Sequence, residues 1–358
     1  MTNIVQLNVP SQRLPRPVRN AALLNSFSKH RRIEDDVFWL KENAELLNIL
    51  ECTGAEVNEQ GLASYASFYE TVEKRLQFFP QYYRFLLSVC LDLEDLGMEG
   101  NKGEALVAWV AKQGFAQSEL SDLQRAEARR LMARRGVDPL PHDAGLEDRV
   151  RAFIARSSAF SMPNKKAAYE LTHAVFYLSE YGRRDPQLCD DVKKSLEFTG
   201  LLAFLEQNAD LLAEVCVAMR HAGFTPSPTW EAWLVRHTHR FHVEVGEQAS
   251  PQDDYHEFLV CNWLMADIGQ EPFAKALGHE RMGFIRAEVT PGPLRELSQA
   301  MYQLDDQRDG DWDKMRDVVL ENLSNDAQLV VSFAEKSIDD FGGFFQGFAR
   351  ASGAMVPA

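Results

Sequence analysis

The fold is best predicted from the stretch ELTHAVFYLSEYG, residues 170–182. Its apolar residues recur at helical spacing, and Gly182 follows where a left-handed residue commonly ends a helix. The apolar stripe comprises Leu171, Ala174, Val175, Leu178 and Tyr181. His173 and Phe176 share the opposite face, so we expect this helix to be buried on both sides.

Similar glycine-ended segments recur along the chain at intervals of 39 to 46 residues. The glycines are Gly54, Gly97, Gly136, Gly182, Gly223 and Gly269. More polar helices are predicted between them, at about 61–79, 103–116, 145–158, 186–205 and 228–244. Two helices in a unit of about 43 residues are typical of repeated helical hairpins, with few strands expected. The predicted fold class is therefore all-α.

The second face of these helices bears on how the hairpins are arranged. Six residues before the glycine, five segments carry Asn48, Leu91, Phe176, Val217 and Trp263. An open solenoid exposes one side of its inner helices, whereas a closed ring covers both. We therefore expect the hairpins to form an α/α toroid, or failing that a curved α-solenoid. The register is poor before Gly136 and is lost before Gly310.

The predicted domain organisation is one helical-hairpin domain over residues 21–340. Residues 1–20 contain three prolines and no periodicity, so we expect an irregular amino-terminal tail. Residues 341–358 form a tail rich in phenylalanine and glycine. Its aromatic side chains either plug a lumen or pack on the last hairpin, and packing is the favoured interpretation.

Composition narrows the classes of partner. The formal net charge of −15 repels phosphate backbones, so nucleic acid is not expected as a partner. No secretory signal is evident, and no apolar run approaches the roughly 20 residues that span a bilayer, so a membrane is not expected either. Five scattered cysteines without a CxxC pair favour reduced thiols and a cytoplasmic location.

Polar residues recur at two positions on the second face, nine and thirteen residues before the glycine. In the helices ending at Gly182, Gly223 and Gly269, these positions include His173, Glu214, Tyr169, Asp210 and His256. Because these helices belong to consecutive repeats, we expect the side chains to meet in a shared interior. Two imidazoles and a carboxylate are a common ligand set for zinc or iron. His173, His256 and Glu214 are therefore the predicted metal ligands.

The predicted function is that of a metal-dependent enzyme acting on a small organic molecule or peptide in the lumen. A metal lowers the pKa of bound water, and Asp210 and Glu214 would then move the proton. Tyr169, Trp263 and Arg84 would line the pocket and orient the substrate.

Three other interpretations of these residues remain open. The same groups fit a metal-free acid–base pocket, or separate structural hydrogen bonds. The competing class of protein is a non-enzymatic helical-repeat scaffold whose acidic surface binds a basic peptide or partner protein.

The remaining histidines give weaker indications. His237 follows Trp233 at helical spacing and is expected to pack, while His239 and His242 are expected to share the other face of the same helix. The GHERMG segment, residues 278–283, is expected to be a loop without metalloprotease spacing.

The array of hairpins with inward-facing ligands resembles the α/α-toroid enzymes, which include terpene cyclases, protein prenyltransferases and lanthionine cyclases. The resemblance covers roughly residues 35 to 310 and concerns architecture, implying a helical ring with its site in the lumen. The cysteine ligands of the zinc-dependent members and the aspartate-rich motifs of the terpene cyclases are absent here. The segments LTHAVFYLSEYG and YHEFLV are also similar to uncharacterised bacterial helical proteins.

Overall fold

The computed structural model describes residues 14–34 and 36–351, and helices dominate it. The first helices are α1 (Arg16–Lys29), α2 (Val37–Cys52), α3 (Glu59–Ala63), α4 (Ala66–Phe78), α5 (Tyr83–Asp95), α6 (Lys102–Gln113), α7 (Asp122–Ala133) and α8 (Leu146–Ile154). They are followed by α9 (Lys165–Leu178), α10 (Asp190–Glu206), α11 (Ala209–His221), α12 (Pro228–Arg240) and α13 (Tyr255–Asp267). The last are α14 (Leu294–Leu304), α15 (Trp312–Glu321), α16 (Asn325–Ala334) and α17 (Phe341–Ala349). The predicted all-α fold class is confirmed.

The chain forms two compact units, each assembled from two separate stretches of sequence. The first unit contains the described residues up to Ala144 together with Thr238–Ala287. The second contains Gly145–His237 and the described residues from Glu288 onward.

The predicted helix ends are confirmed in the backbone. All six recurring glycines adopt a positive φ, from +63° at Gly54 to +105° at Gly97. Only glycine takes this conformation without a steric cost from a side chain, so a glycine stops five of the six helices. The exception is α9, which ends at Leu178, because Glu180 and Tyr181 already have a positive φ before Gly182. The more polar helices also occur near their predicted positions, as α4, α6, α8, α10 and α12.

Burial on both faces of the glycine-ended helices is likewise confirmed. The five residues six positions before the glycine are all buried, at Asn48, Leu91, Phe176, Val217 and Trp263. Within the first unit, α2 packs against α5 and α13, and α5 packs against α7. Within the second unit, α9 packs against α11. The choice between a ring and a solenoid stays a prediction.

Two short strands interrupt the helical pattern in the first unit. β1 (His242–Val245) and β2 (Met282–Ile285) pair antiparallel, with His242 opposite Ile285. The helix predicted to reach residue 244 instead ends at Arg240. The expectation that His239 and His242 share one helix face is therefore wrong. The alternation of Val243 and Val245 with polar residues is the local signal for a strand.

Both ends of the described chain are more ordered than the sequence predicts. Helix α1 begins at Arg16, inside the segment predicted to be irregular, while residues 1–13 lie outside the described chain. At the other end, α17 buries Phe341, Phe344, Phe345 and Phe348. The ring of Trp312 lies 5.0 Å from that of Phe341 and 4.7 Å from that of Phe345, centroid to centroid. The carboxy-terminal aromatics thus pack on α15.

None of the helices within residues 14–34 and 36–351 combines the length and apolar character needed to cross a bilayer. All five cysteines are free thiols. Burial raises the pKa of the Cys90 and Cys216 thiols above their ordinary value, so these side chains pack as inert apolar groups.

Candidate functional site

The polar contact between α9 and α11 is the part of the predicted site that the second unit assembles. Tyr169 Oη donates a hydrogen bond to Asp210 Oδ2 at 2.6 Å, and Thr172 Oγ1 donates to Glu214 Oε2 at 2.6 Å. Asparagine caps set where both helices begin, since Asn164 accepts from the Ala167 amide and Asn208 from that of Leu211. The two hydrogen bonds follow one another along the interface between α9 and α11. We call the Tyr169–Asp210 and Thr172–Glu214 contacts the rungs between these helices.

The electrostatics of this contact favour a neutral phenol beside a carboxylate. Burial, together with the charge of Asp210, raises the pKa of Tyr169 above its ordinary value. Tyr169 is therefore a donor to Asp210 throughout the physiological pH range. Glu214 is only 2% exposed and receives its hydrogen bond from a hydroxyl inside the protein. Charged groups with such partners are characteristic of a structural network.

His173 lies beside these rungs and is partly exposed. Its ring stacks on Tyr177 at a centroid distance of 6.0 Å and an interplanar angle of 13°. Phe176 approaches the same imidazole edge-on, also at 6.0 Å. The histidine therefore belongs to an aromatic row along α9.

The remaining predicted site residues belong to the first unit. His256 Nε2 lies 3.9 Å from Glu45 Oε1, across the contact between α13 and α2. Trp263 is 4% exposed, so it offers little surface to a substrate. Arg84 forms ion pairs with Glu119, at 3.0 Å, and with Glu127. These two carboxylates satisfy the guanidinium that the sequence assigns to substrate.

The predicted metal ligands are not gathered into a metal-binding group. Across the described part of the chain, no three His, Cys, Asp or Glu side chains are placed to hold a metal ion together. His173 and Glu214 lie in the second unit, whereas His256 lies in the first. Zinc or iron chemistry at these residues stays a prediction.

The first unit contains a buried ionic cluster that the helical periodicity of the sequence did not predict. Arg31 Nε donates to Glu42 Oε2 at 2.8 Å, and both terminal nitrogens donate to Asp253, at 2.8 and 2.9 Å. Burial disfavours the charged guanidinium, but its hydrogen bonds to Asp253 and the charge of Glu42 outweigh that effect and raise the pKa of Arg31. We call Arg31, Glu42 and Asp253 the Arg31 cluster.

Aromatic rings complete the surroundings of the cluster. The Arg31 guanidinium carbon lies 4.9 Å from the ring centre of Phe27, 5.3 Å from that of Tyr255 and 5.2 Å from that of Phe284. Cation–π attraction adds to the ion pairs because these side chains exclude water. Of the adjacent aspartates at 253–254, only Asp253 joins the cluster, and its partner Arg31 is 222 residues away in the sequence.

The acidic hairpin, defined as α15 and α16, is a second feature that was not predicted from the sequence. Arg316 pairs with Glu335 at 2.8 Å, and Trp312 Nε1 donates to the same carboxylate at 2.7 Å. The start of α15 therefore adjoins the end of α16. On α16, Leu329 is 58% exposed and Phe333 is 50% exposed.

The class of protein that the fold and these sites define is an all-α protein with buried polar contacts between its helices. The whole of residues 1–351 matches the family described as Domain of unknown function (DUF6902), and the chain belongs to that family. No curated protein and no solved structure matches the chain.

Proposed function

We propose that the protein is a helical binding module that docks a basic, amphipathic helix of a partner protein on the acidic hairpin. The observation that carries this proposal is the exposed pair Leu329 and Phe333, one helical turn apart on α16. The pair has the i, i+4 spacing at which one helix presents anchors to another.

Exposing the side chains of Leu329 and Phe333 to water is unfavourable in free energy, and a bound partner would remove this cost. A helix that faces water usually presents polar residues on its outer side. Burying a leucine or phenylalanine side chain contributes roughly 1.5–3 kcal/mol when it leaves water completely. Burying the exposed halves of Leu329 and Phe333 is thus a favourable step that the folded chain leaves available.

Charge indicates which partner would be attracted. Residues 288–351 contain thirteen Asp and Glu but only six Lys and Arg. Complementary potentials speed encounter and select partners, so a lysine- or arginine-bearing helix is favoured over an acidic one.

A cavity near the start of α15 supplies a second point of attachment. It has a volume of about 720 Å³, and its charged lining residues are one arginine and three aspartates: Arg308, Asp309, Asp311 and Asp313. Lys314 pairs with Asp309 and Asp311, each at 3.2 Å, so one cation already binds beside the cavity. A lysine or arginine side chain from a partner suits the same surroundings.

Pairing of the predicted catalytic groups favours the binding module over the enzyme. Tyr169 is engaged by Asp210, Thr172 by Glu214, and Arg84 by Glu119 and Glu127. Side chains that pair with each other across helix contacts stabilise the fold, whereas Leu329 and Phe333 are exposed to solvent.

The test is calorimetric titration of the full chain with a synthetic lysine–leucine peptide that forms an amphipathic helix. A scrambled peptide of identical composition keeps the charge and loses the apolar face. We expect tighter binding of the amphipathic peptide, with an affinity that falls as salt is added. The double variant Leu329→Ser with Phe333→Ser should weaken it by about tenfold or more, as loss of interface anchors does.

A matched control distinguishes binding at this surface from nonspecific binding to exposed apolar side chains. Ile33 and Phe38 in the first unit are 79% and 55% exposed, and the variant Ile33→Ser with Phe38→Ser should bind normally. Equal affinity for both peptides, or equal loss in both double variants, would refute the proposal.

A further inference from the structure

A separate cavity lies in the first unit, where α1 ends and where α2 and α4 begin. Its volume is about 550 Å³, within the range of small-molecule sites. The lining comes from the last turn of α1, the segment that leads into α2, the first turns of α2 and α4, and Arg281 before β2. None of these residues takes part in the surface proposed for the partner helix.

Positive charge is concentrated in this cavity, in contrast to the acidic chain as a whole. Four Lys and Arg side chains line it, against two carboxylates among the described lining residues. The cations are Lys29, Arg31, Arg32 and Arg281, and the carboxylates are Glu34 and Asp36.

Several of these charges are already balanced. Arg31 and Arg32 share the Glu42 carboxylate, and Glu34 pairs with Arg75 at 2.7 Å. Asp36 accepts from the Phe38 amide and so caps α2. What remains is the charge of Lys29 and Arg281.

Arg281 is held in place by two backbone carbonyls. Its Nε donates to the carbonyl of His30 at 2.8 Å, and its Nη1 lies 3.3 Å from the carbonyl of Glu247. Within residues 14–34 and 36–351, no ion pair joins a carboxylate to Arg281 or to Lys29. Carbonyl partners fix the direction of the guanidinium and leave its full charge for another anion.

Backbone donors adjoin the same cavity. Helix α4 has thirteen residues, and no side chain caps its first turn. Ser67 and Phe68 of that turn line the cavity, together with Ser64 just before it. The amide groups at the start of a helix and its dipole both favour a bound anion.

We propose that this cavity binds the oxyanion group of a small molecule, either a phosphate or a carboxylate. Lys29 and Arg281 supply the charge, and the start of α4 supplies hydrogen-bond donors. The hydroxyl of Ser64 donates to the carbonyl of Gly61 at 2.7 Å, so the donors available to the anion at this point are the backbone amides of α4.

The experiment measures the melting temperature of the full chain at constant ionic strength, with chloride replaced in turn by phosphate, pyrophosphate or citrate. An anion that binds only the native state raises the melting temperature, and the rise grows with the logarithm of its concentration above the dissociation constant. A rise with the phosphates alone identifies a phosphate site, and a rise with citrate alone identifies a carboxylate site. Absence of a rise with all three would overturn the proposal.

Charge reversal at Lys29 provides the residue-level test, since this side chain is exposed and its replacement spares the core. We expect Lys29→Glu to weaken binding of the effective anion by about tenfold, because one direct charge contact becomes repulsive. Arg281→Gln should act in the same direction. The matched control is Lys336→Glu, an exposed lysine of the second unit. If both reversals reduce the effect equally, the anion acts on overall charge and the proposal fails.

Discussion

The Arg31 cluster and the acidic hairpin both combine charged side chains with aromatic ones, but they bury them to opposite degrees. In the cluster, the side chains of Arg31, Glu42 and Asp253 are 0%, 1% and 4% exposed. In the hairpin, Arg316 is 42% exposed and pairs with Glu335 and, more loosely, with the exposed Asp317. In the Arg31 cluster the charged side chains therefore hold buried segments together, whereas in the acidic hairpin they remain at the surface. The number of charged residues does not distinguish these two uses, whereas burial does.

The largest effect is expected from removing the cation of the buried cluster. Arg31→Met leaves buried Glu42 with Arg32, and buried Asp253 with the Phe284 amide, but removes the guanidinium that pairs with both carboxylates. Breaking a buried pair on one side costs roughly 3–5 kcal/mol in the free energy of unfolding. Urea denaturation followed by circular dichroism measures this loss.

The same substitution in the hairpin is the control for that result. Arg316→Met removes a surface pair and should cost roughly 1 kcal/mol or less. Equal losses at Arg31 and Arg316 would show that burial does not separate the two regions.

An intermediate effect is expected at the rungs between α9 and α11. Thr172→Val removes the hydroxyl that donates to buried Glu214, and hydrogen bonds to charged groups contribute about 1.5–3 kcal/mol. Tyr169→Phe removes the donor to Asp210, which is partly exposed and regains water, so the loss should be smaller. Thermal unfolding of the two variants compares these rungs. A larger loss for Tyr169→Phe would contradict the assignment of Thr172–Glu214 as the more buried contact.

The smallest effect is expected at the surface link of Glu271, and it depends on pH. Hydrogen bonds from Arg16 and Arg19 hold the pKa of Glu271 below its ordinary value of 4.5. A lowered folded-state pKa contributes stability above pH 4.5 that is lost as the pH falls through the folded value. Glu271→Gln should therefore cost roughly 1 kcal/mol or less at pH 7 and almost nothing in acid.

A matched glutamate tests the origin of that dependence. Glu104 is exposed on α6, and Glu104→Gln should leave the acid limb of the stability curve unchanged. The comparison requires denaturation at several pH values between about 3 and 7. An unchanged difference between wild type and Glu271→Gln across that range would contradict the lowered pKa.

Periodicity predicted the helices well because helix ends and buried faces are local properties. A glycine ends a helix through its own φ, and the residue six positions earlier lies on a fixed side of that helix. The same register places Tyr169 and Asp210 thirteen residues before their glycines, on the neighbouring helices α9 and α11. Their hydrogen bond is 2.6 Å long.

The missed contacts depend on which distant segments become neighbours. His256 adjoins Glu45, Arg31 binds Asp253, and the intervals of 211 and 222 residues carry no periodic signal. The exposed pair on α16 was missed for another reason. Leu329 and Phe333 have the spacing of a core stripe, and the sequence does not reveal that the described part of the chain leaves both side chains at least half exposed.

The discontinuous composition of the first unit has a consequence for biosynthesis. Its amino-terminal stretch ends at Ala144, but its remaining part, Thr238–Ala287, is translated only after most of the second unit's first stretch. At a typical 5–20 residues per second, the ribosome takes roughly 7–30 seconds to reach the end of that part. During this delay Arg31 lacks Asp253, and nascent α2 lacks α13. Chaperones would meet an exposed, half-assembled subdomain, and early chain termination before residue 287 should leave it open to proteolysis.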